Sequence, residues 1–300
     1  MSNALDLLAV AAHVAGGQQY PAGALYVVAT PIGNLADLSL RAVHALAMAD
    51  AVACEDTRVS GQLLRHLGLH KPLIALHQHN EREAAQGVCA RLQRGERIAF
   101  VSDAGTPAVS DPGARLVAEV RAAGLRAIPL PGASAPLAAL SVAGDAQATG
   151  FRFVGFLPPK GEARAQALAA LDRPGDAQIL FEAPHRIATL AQDLAERWPE
   201  RLVTCARELT KQFETVTTLT CANLPAALQG DANAQRGEFA LVLHAQPAGQ
   251  GQEGLPPDAE RMLQTLLNEL PLKQAVGLAA QLSGVARNAL YARALELKGA

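Results

Sequence analysis

The sequence predicts an α/β protein of two domains followed by a small helical module, and three observations lead there. First, short β-rich apolar runs alternate with helical patterns of about ten residues, the signature of a parallel sheet with right-handed crossovers. Second, the predicted strands end in polar, small-residue loops, the longest being Val101–Gly113, Val-Ser-Asp-Ala-Gly-Thr-Pro-Ala-Val-Ser-Asp-Pro-Gly. Third, the pattern changes after the Gly/Pro-rich stretch 247–257, beyond which the chain reads as helix only.

Taken in order, residues 1–22 read as a flexible N-terminal extension, a short helix and a Gly-Gly-Gln-Gln linker. Domain one spans 23–133. Leu25–Thr30 is a strand broken by Pro31-Ile-Gly-Asn34, Leu40–Ala49 is a helix, and Ala51–Cys54 is a second strand. Glu55-Asp-Thr-Arg58 opens a helix that stops at Gly68. A third strand, Leu73–Leu76, runs into His77-Gln-His-Asn-Glu81 and a helix ending at Gly95. Ile98–Val101 is the central strand. After its loop, Asp111 is expected to cap the next helix, with Pro112 at the first helical position and Gly124 just past the end. Arg126–Leu130 closes the domain.

The second domain spans 134–246. Ala135–Ala143 is a small-residue helix, followed by strand Phe151–Phe156, helix Ala163–Leu171, strand Gln178–Phe181, helix Pro184–Trp198 and strand Leu202–Ala206. Phe213–Leu219 and Phe239–His244 are expected to be antiparallel strands, giving a domain with mixed pairing. Residues 258–300 form the helical module: Asp258–Leu270, Leu272–Leu282 and Ala286–Leu297, with a Ser283-Gly284 turn in the outline of a helix-turn-helix.

Composition narrows the function classes. Of 300 residues, 50% are apolar and 18% charged, which fits a soluble globular protein. A net charge of −2 argues against a broad electrostatic grip on nucleic acid, and 4% aromatics argue against serial base stacking. Yet from Pro271 onward Lys273, Arg287, Arg293 and Lys298 face only Glu296, so positive charge concentrates in the module. The four cysteines show no metal-type spacing and read as reduced thiols. The first Lys or Arg is Arg41, so the apolar segment Ala4–Ala15 lacks the basic flank of a signal peptide; a cytoplasmic protein without a membrane span is expected.

The chain has no G-x-G-x-x-G, no G-x-x-x-x-G-K-[ST], no H-E-x-x-H and no G-x-S-x-G. Dinucleotide, P-loop, zinc-peptidase and serine-hydrolase readings therefore lack their fingerprints, and no metal site is expected. What remains is four successive strand ends, at Thr30–Asn34, Glu55–Arg58, His77–Glu81 and Ser102–Thr106, on one edge of a parallel sheet. Ligands of open α/β sheets bind there. Ser102–Pro107 offers exposed backbone, one carboxylate and little bulk. In the second domain Phe181-Glu-Ala-Pro-His-Arg186 and Ala206-Arg-Glu-Leu-Thr-Lys211 follow strands in the same way, and each also reads as a solvated, salt-bridged helix start or face.

Longer strings carry a family resemblance: Ala29-Thr-Pro-Ile-Gly-Asn-Leu35, Glu55-Asp-Thr-Arg58, His77-x-His-Asn-Glu81, Ser102-Asp-Ala-Gly-Thr-Pro107 and Ser110-Asp-Pro-Gly113. Pro131-Gly-Ala-Ser134, Gly155-Phe-Leu-Pro158, Pro184-His-Arg186, Arg207-Glu-Leu-Thr-Lys211 and Glu269-Leu-Pro-Leu-Lys273 continue it in order. On these residues the chain resembles the tetrapyrrole-methylase superfamily and, within it, the branch acting on ribosomal RNA. Leu76 and Ala114 stand where that pattern has aromatics.

The resemblance implies a tetrapyrrole-methylase-like fold, a parallel-sheet N-terminal domain and a mixed-sheet second domain, with S-adenosyl-L-methionine in the cleft between them. It implies a homodimer and 2′-O-methylation of a cytidine ribose in the decoding region of 16S rRNA within the small ribosomal subunit. Carried over as cofactor contacts are Pro31, the backbone of Asp103, Ala104 and Gly105, Ser134, Phe181 and Ala206. Asp56 and Glu81 are the candidate proton acceptors. Arg58, Asn80, Arg186, Lys211, Lys273 and Arg287 are the candidates for holding RNA. A small-molecule, precorrin-type methyltransferase is the alternative; it should lack the C-terminal module and have a more apolar cleft. A catalytically silent RNA-binding factor would keep the module and need no cofactor.

Overall fold

A computed structural model describes residues 2–77, 80–230, 235–246, 255 and 257–297. The first domain contains α1 (Ser2–Ala15), β1 (Ala24–Val28), α2 (Leu40–Met48), β2 (Ala51–Cys54), α3 (Thr57–His66), β3 (Leu73–Ala75), α4 (Glu81–Gln93), β4 (Ile98–Val101), α5 (Ala114–Ala122) and β5 (Arg126–Leu130). Its five strands are ordered β3-β2-β4-β1-β5, and every neighbouring pair is parallel. Helices cover both faces, so β2 and β4 are buried along their whole length and read as continuous apolar runs rather than alternating ones. One face packs Val28, Leu46, Val52 and Leu64; the other packs Leu25, Val88, Phe100 and Leu116.

Two expectations are corrected here. The N-terminal segment expected to be flexible is a helix packed on α2: Ala11 and Ala15 are buried, and Tyr20 stacks edge-on against His44. Its alanines and leucines form an apolar stripe that needs covering. Asp111 is not the cap of α5. The helix starts after Gly113, whose N–H donates to Glu81 Oε1 at 3.0 Å. A Cβ built at Gly113 would lie 2.2 Å from the Phe100 ring, so only glycine fits where the chain turns into the helix. Asp111 is left facing the interdomain cleft.

After the junction Pro131–Ser134, the second domain follows as α6 (Ala135–Ala143), β6 (Gly150–Phe156), α7 (Gly161–Ala169), β7 (Asp176–Glu182), α8 (Ile187–Arg197), β8 (Leu202–Arg207), β9 (Thr215–Thr220), α9 (Leu224–Gln229) and β10 (Phe239–Leu243). The sheet order is β6-β7-β10-β8-β9, parallel only between β6 and β7 and antiparallel elsewhere. The mixed sheet expected from the strand spacing is therefore present. Ile187, Leu190, Leu194 and Leu241 build its larger core, and α6 packs Ala139 and Ala143 on the opposite face.

The module, α10 (Pro257–Glu269), α11 (Leu272–Ser283) and α12 (Arg287–Leu297), has its own core of Leu263, Val276, Ala279, Leu290 and Ala294. Gly284 ends α11 in the left-handed region, which makes the turn between the last two helices. Lys298, one of the module's cations, and His79 lie outside the described residues, as does most of the stretch 247–257.

Candidate active site

β1 and β4 are neighbours at the centre of the first sheet, and the loops leaving their carboxyl ends are stitched together. Thr30 N–H donates to Gly105 O at 2.8 Å, and Gly105 N–H donates to Thr30 O at 3.1 Å. Thr30 Oγ1 reaches Ser102 O at 3.2 Å, and Ser102 Oγ reaches Gly105 O at 3.1 Å. Thr106 Oγ1 donates to Ala133 O at 3.0 Å, joining the turn to the interdomain junction. Gly105 sits at φ +84°, and a Cβ there would stand 3.2 Å from Ile32 Cγ2. A tight turn with bare backbone thus faces the second domain.

Between the domains lies a cavity of about 360 Å³. Of the expected cofactor contacts, Ala104, Gly105, Ser134, Phe181 and Ala206 line it. Pro31 and Asp103 do not; they line a neighbouring pocket of about 270 Å³, shared with Ser60, Gln62 and His66 of α3. The turn at 102–105 is the wall between the two. Phe153 and Phe156 pack edge-on against Phe181 with ring centroids 5.1 and 5.6 Å away, forming an aromatic wall.

Two loops at the cleft are strained. Among the described residues, the non-glycine residues with positive φ are Ala108 (66°), Ser110 (71°), Glu208 (53°) and Thr210 (66°). Each such conformation costs on the order of 1–3 kcal/mol and persists where surrounding contacts impose it. Around Glu208 those contacts are clear. Its carboxylate accepts from Glu238 N–H at 2.9 Å and from Lys211 Nζ at 2.8 Å.

The charges around the cleft sort into paired and unpaired groups. Glu182 is 2% exposed; its Oε1 accepts from Ala183 N–H at 2.9 Å and lies 3.1 Å from Arg186 Nε, while its buried Oε2 has no hydrogen-bond partner among the described residues. Arg186 also donates from Nη2 to Leu157 O at 2.5 Å. Lys211 joins Glu238 at 2.9 Å. Arg186 and Lys211, expected to hold RNA, are thus placed as counter-ions of the cleft wall.

Asp56 caps α3, accepting from Arg58 N–H at 2.8 Å and pairing with the Arg58 guanidinium at 2.6 Å. Those hydrogen bonds from Arg58 hold its carboxyl down at about 2, which makes it a weak proton acceptor at neutral pH. Arg58 itself is 89% exposed at the rim. Glu81 is spent on Gly113 N–H, and Asn80 closes a turn by accepting from His77 N–H at 2.8 Å and donating to Ala75 O at 3.0 Å. Lys273 and Arg287 are exposed on the module, and neither lines the cavity.

Two acids near the cleft are shifted the other way. Burial, then the charges of Asp103 and Asp56, raises Glu55. Burial, then Glu55 and Asp103, pushes Asp111 up to about 6. Sequence reasoning placed Asp111 at a helix cap and missed it; its position in Ser110-Asp-Pro-Gly113, within the longest strand-end loop, was the available signal.

Among the described residues no helix is long and apolar enough to cross a membrane, and no cluster of His, Cys, Asp and Glu is placed to hold a metal. Residues 24–225 match the family Tetrapyrrole (Corrin/Porphyrin) Methylases, and residues 253–298 match the family described as RsmI C-terminal HTH domain. A protein of Neisseria meningitidis serogroup B named "Ribosomal RNA small subunit methyltransferase I" is 48% identical over 277 residues, 92% of this chain and 94% of its own length. One of the same name from Escherichia coli O157:H7 is 46% identical, covering 92% and 96%. Among solved structures, a cobalt precorrin-4 methyltransferase superposes with a TM-score of 0.54 at 16% identity, covering 76% of this chain and 98% of its own. A uroporphyrin-III C-methyl transferase from Thermus thermophilus, complexed with S-adenyl homocysteine, gives 0.51 at 16% identity, covering 73% and 96%. The chain belongs to the tetrapyrrole (corrin/porphyrin) methylases, in the group of ribosomal RNA small subunit methyltransferase I proteins.

Proposed function

We propose that this chain is an S-adenosyl-L-methionine-dependent methyltransferase acting on ribosomal RNA, and that it methylates the ribose 2′-hydroxyl of a cytidine in the decoding region of 16S rRNA, on the small subunit, as a cytoplasmic homodimer. The observation that carries the RNA reading is coverage. The tetrapyrrole enzymes match almost their whole length to about three quarters of this chain, whereas the RNA-enzyme relatives match more than nine tenths of it, and the helical module itself matches the family described as RsmI C-terminal HTH domain. A small-molecule methylase has no need of that addition.

The cleft suits the cofactor on three counts. Its volume lies within the range of roughly 300–1,000 Å³ usual for ligands of this size. Asp111, Glu182 and Glu238 line it and no Lys or Arg does, which favours a cation over an anion. Glu182 Oε2 is a buried acceptor lacking a donor among the described residues. We assign the Ala104–Gly105 backbone, Ser134, Phe181 and Ala206 to holding the cofactor, with Pro31 and Asp103 at the far side of the same turn. When bound, the group supplies a methyl carbon made electrophilic by its sulfonium.

The chain's own residues then have to position a hydroxyl and exclude water. Positioning alone contributes on the order of 7–11 kcal/mol to such a reaction. Arg58, held out at the rim by Asp56, is assigned to an RNA phosphate, as are Lys273 and Arg287. Asn80 and Glu81 shape the loops beside the rim, and Arg186 and Lys211 hold the acidic wall. The test is to incubate purified small subunits with labelled cofactor and map the modified nucleotide. A 2′-O-methyl makes its linkage resistant to alkali, because a blocked hydroxyl cannot attack the phosphate. A methylated base on a free ribose would overturn the ribose assignment, and methylation of a uroporphyrinoid instead of RNA would overturn the substrate class.

A further inference from the structure

One carboxylate of the cleft has no cationic partner among the described residues. Glu182 is matched by Arg186 and Glu238 by Lys211, at 3.1 and 2.9 Å. Asp111 lines the same cavity half-buried, and the ionisable groups facing it from the first domain, Glu55 and Asp103, are acids. Ser102 contributes a hydroxyl hydrogen bond. Glu81, which approaches two residues further on, is committed to Gly113 N–H.

The backbone holds Asp111 in place from both sides. Ser110 before it is left-handed at φ 71°, Pro112 after it has a restricted φ, and Gly113 is locked between Glu81 and the Phe100 ring. A carboxylate held this firmly in a cavity, among acids that disfavour its charge, has the placement expected of a proton acceptor.

We propose that Asp111 is the general base of the reaction, accepting the proton of the attacking RNA hydroxyl; this rests on the methyltransferase reading above. The hydroxyl oxygen forms its bond to the methyl carbon as the carbon–sulfur bond breaks. Sulfur keeps that electron pair and leaves as a neutral thioether, so no acid is required. The hydroxyl proton passes to an Asp111 carboxylate oxygen and from there to water. Ionised above about 6, Asp111 is free to accept it at neutral pH, whereas Asp56 at about 2 is far less basic.

The test uses the full chain, small ribosomal subunits and Asp111→Asn. Carbon-13 NMR of labelled aspartate should show a carboxyl titrating near 6 in the wild type and missing from the variant. Single-turnover methylation by the wild type should fall as pH drops through that midpoint. The variant should be slower by ~10²-fold or more, should lack that acid limb, and should bind S-adenosylhomocysteine within about threefold of wild type by calorimetry. If the asparagine variant does not fold, Asp111→Glu is expected to keep an acid limb with a displaced midpoint, and an unmoved limb overturns the proposal. A variant methylating within about threefold of wild type also overturns it, as does a loss of rate matched by a loss of cofactor binding. If the wild type itself leaves subunits unmethylated, the proposed function fails and this inference fails with it; methylation by both proteins removes this inference alone.

Discussion

Lys211 of the second domain lies across Gly33 of the first: a Cβ built on Gly33 would stand 2.4 Å from Lys211 Cγ and 3.1 Å from Thr210 Oγ1. The ammonium at the end of that stem bonds Glu208 and Glu238, so the strand-end turn after β1 is fastened to the acidic wall opposite. Burial alone would lower the Lys211 pKa, but the hydrogen bonds from its ammonium to Glu208 and Glu238 outweigh it and leave the pKa raised.

Gly33→Ala tests that fastening. The methyl has to displace the middle of the lysine stem, from a backbone at φ +151° that side chains disfavour. Overpacking of this kind costs about 1–3 kcal/mol. The expected outcome is a lower melting temperature together with at least tenfold weaker cofactor binding, read by calorimetry. Unchanged values for both would show that the two domains are not aligned through this contact.

Gly105→Val tests the cradle. Any side chain at φ +84° is strained, a branched one most of all, and its Cβ would press on Ile32 at the cavity wall. S-adenosyl-L-methionine binding should disappear while thermal unfolding stays cooperative at a lower midpoint, because Gly105 lies in a turn beyond the end of β4 and the sheet ladders do not depend on it. Wild-type affinity in this variant would place the cofactor elsewhere.

Asp111 also makes a prediction about stability. Its folded pKa, about 6, lies above the ordinary value of 3.8, so between those values the folded chain binds more protons than the unfolded one. Stability from this group therefore falls as pH rises from 4 to 6, and the penalty is fully present above 6. At 1.36 kcal/mol per unit the whole shift is about 3 kcal/mol, and partial exposure reduces it to ~1–2 kcal/mol. Asp111→Asn should accordingly be more stable than wild type at pH 8 and no more stable at pH 4, as read by denaturant titration at both values. Equal destabilisation at both would make Asp111 a structural hydrogen-bond partner instead.

The helical module gives a fourth expectation. Lys273 and Arg287 are exposed, but Arg293 is held by Glu260 at 2.5 Å and Glu296 at 2.7 Å, so it is not a third free cation. Replacing Lys273 and Arg287 with alanine should reduce the slope of log affinity for RNA against log salt by roughly 0.7–0.9 for each phosphate that is no longer neutralised. Arg293→Ala should leave that slope alone and loosen the packing of α12 on α10. Removing residues 250–300 should preserve cofactor binding and greatly reduce methylation of subunits. Full methylation without the module would assign RNA recognition to the cleft.

Strand and helix alternation, the parallel first sheet and the polar edge at the ends of β1–β4 were readable from residue order, because hydrophobic period and turn chemistry are local signals. Of the strand-end residues, Gly105 and Thr106 line the interdomain cavity, and Ser134, named from the family resemblance, lines it too; the ends of β2 and β3 do not. The place of Asp111 was not readable. Asp-Pro-Gly looks locally like the start of a helix, and only the Phe100 ring and the Glu81 carboxylate, 13 and 32 residues from Gly113 in the chain, move the cap to that glycine and turn Asp111 into the cleft. Arg186 pairs with Glu182 four residues before it and Lys211 with Glu208 three residues before it, as the salt-bridged reading of those strings allowed; only Glu238, brought in by the turn into β10, was out of reach of the sequence. The burial of Asp111 beside Glu55 and Asp103 depends on groups distant in sequence, so it is decided only when the loops at the sheet edge come together around the cavity.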